Sequence, residues 1–319
     1  MERTKLEEAS KHGLLNKDQI EPLLQFLNNG TLSEDSEEQL RFVRSFGDIF
    51  ITLGIIFVVV ATAQLNMSQY ENAVPLLVAI ATAEWLVRIR RLALPGIALL
   101  ASIIFFASRL VDFSFSDPAF MNTLFLTGLA TVFYFRYKMP FTLMPIAVGV
   151  ISMLSMSLDI EIGKIQYIVS IYGLLVFTVA MWFDSRDTQR RNRLSDSAFW
   201  LHLLAAPLIV HGLMITVLTS PNLLEYKEIF IITFFVFFFL LALYVDRRAL
   251  LVSSLSYAIY AVVKIANESG QGIENLTLMV FVAFGAFIIF FGANWYKVRN
   301  LLFSNFSSLR LSRYVPKFS

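Results

Sequence analysis

The chain has no cysteine, which excludes disulfide cross-links, thiolate nucleophiles and thiolate metal ligands. Charge is also scarce: Asp, Glu, Lys and Arg make up 16% of the residues, where an average soluble domain has about a quarter. The net charge of +2 is too small to form a footprint for nucleic acid, so no polyanionic partner is expected. Several signatures are missing. The sequence has no Gly-rich phosphate loop ending in Lys-Ser/Thr, no dinucleotide Gly fingerprint, no His-Glu-x-x-His and no Gly-x-Ser-x-Gly elbow. These absences remove support from ATP-driven transport by this chain alone and from soluble-type hydrolysis. No cofactor and no metal is expected.

Apolar surface is abundant. Hydrophobic residues reach 57%, Phe alone numbers 31, and the mean hydropathy is +0.66, a composition that places the chain among polytopic membrane proteins of the all-α class. The apolar stretches predict about ten transmembrane helices: Ile49–Leu65, Ala73–Val87, Leu92–Ser108, Phe120–Phe135, Met139–Leu158, Tyr167–Phe183, Ala198–Leu218, Ile229–Val245, Leu250–Ala266 and Leu276–Trp295. Several are shorter than the ~20 residues that span a bilayer. Flanking residues must extend them, or some helices lie partly inside the bundle.

Basic residues alternate between the gaps. Of the 26 Lys and Arg, all but Arg109, Lys164, Lys227 and Lys264 fall in the N-terminal segment, in Arg88/Arg90/Arg91, Arg136/Lys138, Arg186/Arg190/Arg191/Arg193 and Arg247/Arg248, or in the tail. Loops rich in Lys and Arg stay on the cytoplasmic side. Both termini are therefore expected inside, with an even number of crossings arranged as hairpins. The first residues are polar and lack a signal peptide, so the first span is expected to act as the signal anchor.

The expected organisation is a cytosolic helical segment over residues 1–45, a transmembrane bundle over 46–296 and a cytosolic tail over 297–319. In the first segment, Asn16 followed by Gln19 reads as a capping box opening a helix to about Asn28. Thr4–His12 forms a short helix before it, with Gly13 beyond its end, and Ser36 with Gln39 suggests a third start. Leu14, Leu15, Ile20, Leu23, Leu24 and Leu27 supply an apolar stripe at helical spacing. So short a segment has too little core to stand alone, and it is expected to dock on the membrane domain or on a protein partner.

Each even-numbered span ends in an aromatic residue closely followed by a basic one, at Trp85, Tyr134, Trp182, Tyr244 and Trp295. An interfacial aromatic belt explains this, and so does duplication of a helix pair. The segment Asp184-Ser-Arg-Asp187, continued by Ser195-Asp-Ser-Ala-Phe-Trp-Leu-His202 and on through Pro207 to His211, resembles a stretch of uncharacterised bacterial multi-pass membrane proteins. The N-terminal Gly13-Leu-Leu and Leu23-Leu-Gln-Phe-Leu27 are similar to the short segment preceding the spans in that group. The resemblance implies a bacterial inner (cytoplasmic) membrane protein and supplies no activity.

Candidate chemistry starts from cost. Ionisable groups at membrane depth are expensive enough to be functional candidates, and His202 and His211 share one apolar span. Nine residues apart, they are separated by about two and a half helical turns and point to opposite faces. A single site using both requires a break, and Pro207, which lies between them, is expected to interrupt the span. The alternative is two separate structural histidines and a kink. On the ninth span, Ser253, Tyr257, Tyr260 and Lys264 share one face. That face lines a hydrated path or joins helices through hydroxyl bonds, while Lys264 can snorkel to the outer interface. His211 and Tyr257 are expected to meet, since each alone in hydrocarbon costs several kcal/mol. The loop carrying Asp184, Asp187, Arg190 and Asp196 could hold a divalent cation and a phosphate beside His202. A solvated loop whose Asp196 or Ser195 caps the next helix explains the same residues more cheaply. Asp48, one turn into the first span, is either a coupling carboxylate or a partner of Arg44. Glu84 and Arg88 form a helix-end pair, and Gly285 with Gly292 suggests close packing of the last span.

Three functions compete on this reading. The first is a secondary transporter or permease for a small solute, with its site near Pro207, His211 and the Ser253–Lys264 face. The second is a membrane-embedded enzyme acting at the cytoplasmic interface on a lipid or phosphate through Asp184, Asp187 and His202. The third is a non-catalytic component whose first 45 residues recruit a partner. Topology is testable now, because the chain has no cysteine. A thiol at Arg190→Cys is expected to react from inside and one in the Asn267–Glu274 loop from outside; periplasmic reactivity of the first in intact cells would overturn the arrangement.

Overall fold

A computed structural model describes residues 6–7, 10–13, 15–28, 43, 45–65, 67–111, 113, 117–158, 164–188, 190, 193–220, 226–268, 273–304 and 314–315. These residues are helical or lie in turns and connections, and none of them forms a strand. The chain divides into two units, Met1–Leu40 and Arg41–Ser319.

In the first unit the capping box forms as its residues dictate. Gln19 turns back so that its Oε1 accepts from the Asn16 N–H at 3.1 Å, and a 3₁₀ turn at Lys17–Gln19 runs into helix α1 (Ile20–Asn28). Gly13 takes a φ of +72°, a left-handed value that suits glycine at a helix end. The third helix start at Ser36 and Gln39 lies outside the described residues.

The second unit holds α2 (Phe46–Ala63), α3 (Ala73–Ala83), α4 (Ala93–Leu110), α5 (Pro118–Tyr137), α6 (Leu143–Ser157), α7 (Ile165–Arg186), α8 (Arg193–Thr219), α9 (Lys227–Val245), α10 (Ala249–Glu268) and α11 (Ile273–Phe303). Nine helices among the described residues are long and apolar enough to cross a membrane, and Ala249–Ile265 is a shorter apolar one. The chain is an integral, multi-pass membrane protein. Local chemistry explains several boundaries. Asp117 accepts from the Phe120 N–H at 3.0 Å ahead of Pro118, which fixes the start of α5. α3 continues through a π-helical turn, Glu84–Ile89. The kink at Asn294 in α11 lies just before Trp295, and the Asn294 amide donates to the Phe290 carbonyl at 3.0 Å.

The most buried helix is α8, with 56% of its apolar window inside the protein. It packs along α7 and also meets α6, α9 and α10. Close approach is made by small residues. A Cβ on Gly212 of α8 would fall 2.0 Å from Ser170 Oγ of α7, and one on Gly173 of α7 would fall 2.9 Å from the Ile209 backbone nitrogen. The last span differs from the expectation, because a Cβ on Gly285 or Gly292 meets nothing within 4 Å.

Pro207 does not interrupt α8. The helix is continuous from Arg193 to Thr219, which corrects the expected break. Leu204, Ala205, Ala206, Ile209 and Val210 flank the proline and are all buried, so neighbouring helices hold the backbone in place although the proline supplies no N–H.

Among the described residues, four non-glycine residues adopt positive φ: Arg91 (57°), Lys138 (52°), Asp246 (59°) and Arg190 (53°). They follow α3, α5, α9 and α7 respectively, so each sits in a basic gap that the aromatic pattern marks. Gly212 tests the close approach of α7 and α8. Gly212→Ala is expected to lower stability in detergent by about 1–3 kcal/mol, the usual cost of overpacking, whereas Gly285→Ala leaves the melting temperature near wild type.

Candidate functional site

The end of α7 and the start of α10 are joined by an acid group the sequence places in a loop. Asp184 lies in the last turn of α7, buried at 4% exposure. Arg247, at 2% exposure, grips it with both arms, Nε donating to Oδ2 at 3.0 Å and Nη2 to Oδ1. His202 of α8 completes the group, its Nε2 lying 2.9 Å from the same Oδ2. Phe177 packs edge-on against that imidazole, ring centroids 5.0 Å apart.

The same two connections are tied in the opposite sense. Arg190, between α7 and α8, pairs its Nη1 with Asp246 Oδ2 at 3.0 Å and donates from Nη2 to the Asp246 carbonyl at 2.8 Å. Asp246 is the left-handed residue that ends α9. Each connection thus gives one carboxylate and receives one guanidinium. α11 locks this exchange from the side. The Trp295 indole N–H donates to Asp246 Oδ1 at 2.7 Å, and Arg299 donates from Nε to the Leu243 carbonyl at 3.0 Å, satisfying a carbonyl of the last turn of α9 that the helix leaves open. Arg248 lies over the Trp295 ring at 5.1 Å.

Charge closes within this cluster. Asp184 faces Arg247 and Asp246 faces Arg190, one carboxylate for each guanidinium, and all four are buried. Desolvating so many charges is tolerated only where every one is paired and hydrogen-bonded. The solvated-loop expectation for Asp184, Asp187 and Arg190 is therefore corrected. Arg190 is also a poor labelling position, and exposed Arg186, stacked on Trp182 at 4.0 Å, replaces it. The capping expectation needs correction too: α8 already begins at Arg193, so Ser195 and Asp196 lie in its first turn, where a carboxylate favours the helix dipole. Among the described residues no group of three His, Asp or Glu side chains is arranged to hold a metal ion. The cation-and-phosphate reading of this loop loses its ligands, since Arg247 and His202 occupy Asp184.

About 13 Å further along α8, by helical rise, lies the second histidine. His211 Nδ1 is 2.7 Å from the Tyr257 hydroxyl of α10, so the structure brings these two together. His202 and His211 serve different partners on different sides of α8. A joint site using both is not formed. Two turns beyond Tyr257, Lys264 Nζ pairs with Glu228 of α9 at 2.6 Å; snorkelling alone does not describe it. Tyr260 is 46% exposed and joins neither pair, and Ser253 is half-buried. Asp48 is buried in the first turn of α2, accepting from Ser45 Oγ at 3.1 Å; the pairing with Arg44 lies outside the described residues.

Sequence reasoning missed Asp246, Arg247, Trp295, Arg299 and Glu228. Arg247 counted only toward topology, yet Asp246-Arg247 directly after an apolar span mirrors Asp184 at the end of another. Glu84 also does more than pair with Arg88. It receives Arg136 of α5 through two arms, at 2.8 and 3.0 Å, and the Tyr137 hydroxyl at 3.0 Å, clamping α3 to α5. No family model, curated protein or solved structure matches this chain.

Proposed function

We propose that this protein is a secondary transporter for a small solute in a bacterial inner membrane, with ten spans, both termini inside, and the reciprocal Asp184–Arg247 and Asp246–Arg190 exchange acting as its cytoplasmic gate. The observation that carries this reading is the exchange itself. Two connections between spans hold each other closed with buried ion pairs, and beyond them on the same helix lies a polar pair, His211 and Tyr257, at the depth of the apolar spans. Ion pairs suit a gate: they hold one arrangement firmly, and losing one partner strands a buried charge at a cost of about 3–5 kcal/mol, so the connections separate as units rather than by degrees. Alternating access needs such a two-state closure. The charge asymmetry of the loops and the shorter apolar helix Ala249–Ile265, added to nine longer ones, support the even span count. The enzyme reading fares worse, because the carboxylates and imidazole it needs are already neutralised by arginines and turned away from solvent.

The gate is testable without knowing the solute. Ala206→Cys, on α8 one turn beyond His202, is expected to resist an impermeant maleimide in inside-out vesicles. Adding Arg247→Gln is expected to raise its labelling rate about tenfold, equivalent to a shift of ~1.4 kcal/mol toward the open form. Gly212→Ala, which loosens α8 without touching the ion pairs, serves as the control and is expected to leave the rate unchanged. Equal labelling with and without Arg247, or an equal rise in the control, would overturn the gate.

A further inference from the structure

Beyond the end of α11 one residue is buried although it belongs to no span. Val315 is 3% exposed, and it shares a pocket of about 320 Å³ with Thr178, Met181, Trp182 and Ser185 of α7 and Tyr244 of α9. The seat is apolar. Its two hydroxyls on α7 are consumed inside that helix, Thr178 donating to the Leu174 carbonyl at 2.8 Å and Ser185 to the Trp182 carbonyl at 2.7 Å.

The position of the seat gives it a consequence. Ser185 follows Asp184 directly and Tyr244 stands two residues before Asp246, so the pocket joins the two helix ends that carry the carboxylates of the crossed ion pairs. Among the described residues α7 and α9 make little direct contact with each other; the ion pairs bridge their ends, and so does Val315. α11 holds the α9 wall in place, Arg299 donating to the Tyr244 carbonyl at 3.4 Å and Phe303 packing edge-on against the Tyr244 ring, centroids 5.4 Å apart. A pocket walled by two separate helices lasts only while both keep their places. Parting α7 from α9 removes a wall and exposes the valine, so its burial favours the closed arrangement over the open one.

We propose that Val315 is an autoinhibitory latch on the gate, seated between α7 and α9 only while the Asp184–Arg247 and Asp246–Arg190 pairs are made. The latch rests on the gate reading of those pairs. Coupling of this kind is reciprocal, and both directions can be measured on the cysteine-free chain. In inside-out vesicles Val315→Cys, a change of similar size, is expected to react slowly with an impermeant maleimide, and adding Arg247→Gln is expected to raise its rate about tenfold. In the other direction, Val315→Asp is added to Ala206→Cys. A carboxylate is too costly for an apolar seat, and the rate at Ala206→Cys is expected to rise about tenfold, the value of one lost aliphatic contact. Val315→Leu, which keeps the seat apolar, is expected to leave that rate near wild type. Should Val315→Asp fail to fold, the first direction decides alone. Val315→Cys reacting at the same rate with and without Arg247 would overturn the latch. So would a rise at Ala206→Cys from Arg247→Gln with none from Val315→Asp, which leaves the gate standing. Release of Val315→Cys by Arg247→Gln with no change at Ala206→Cys supports the coupling of Val315 to the ion pairs and sinks the gate instead.

Discussion

Two guanidinium–carboxylate pairs, crossed between the same two connections, set the geometry of the second half of this protein. Asp184 with Arg247 and Asp246 with Arg190 join the ends of α7 and α9 to the starts of the helices that follow. An isolated charge at such a depth is prohibitive, and a buried pair is at best a modest net stabiliser beside an apolar replacement. The pairs therefore act mainly by specificity. Any register of α7 against α10 that fails to bring Arg247 onto Asp184 strands two charges at once.

The rest of the bundle follows from that constraint. Asp184 can meet His202 only where α7 and α8 lie close, and Gly173 and Gly212 allow that approach by presenting no side chain. Asp246 can face Arg190 because α9 ends on it in the left-handed conformation, which for an ordinary residue costs about 1–2 kcal/mol. The kinked final helix then places Trp295 and Arg299 against the last turn of α9. In the first half, Glu84 with Arg136 and Tyr137 repeats the motif in a more exposed setting. Acidic groups at the ends of α3 and α7 thus each receive a guanidinium from the end of the next helix but one.

Much of this was legible in the sequence where burial in lipid leaves few solutions. Apolar length located the helices, most ends to within about five residues, although the last runs on to Phe303, well past the expected Trp295, and the capping box at Asn16 and Gln19 fixed the start of α1. The cost of an unpartnered imidazole or phenol singled out His211 and Tyr257, and their hydrogen bond follows. Spacing alone assigned the two histidines to opposite sides of α8. Pro207 failed as a breaker because propensity describes an isolated helix, whereas tertiary packing holds this one. The ion pairs were misread for a related reason. Asp184 and Arg190 look like loop residues until Asp246 and Arg247, some 60 positions away in sequence, are known to face them. Pairing across that distance has no local signature.

The two pairs act as coupled charges rather than as mere neighbours, and a double-mutant cycle on Asp184→Asn and Arg247→Gln, read by unfolding in detergent, measures this most directly. Each single variant is expected to lose about 3–5 kcal/mol by stranding its partner, and the double variant to lose clearly less than their sum. Losses that add to within about 0.5 kcal/mol would contradict the account, because residues that do not interact are additive to that precision.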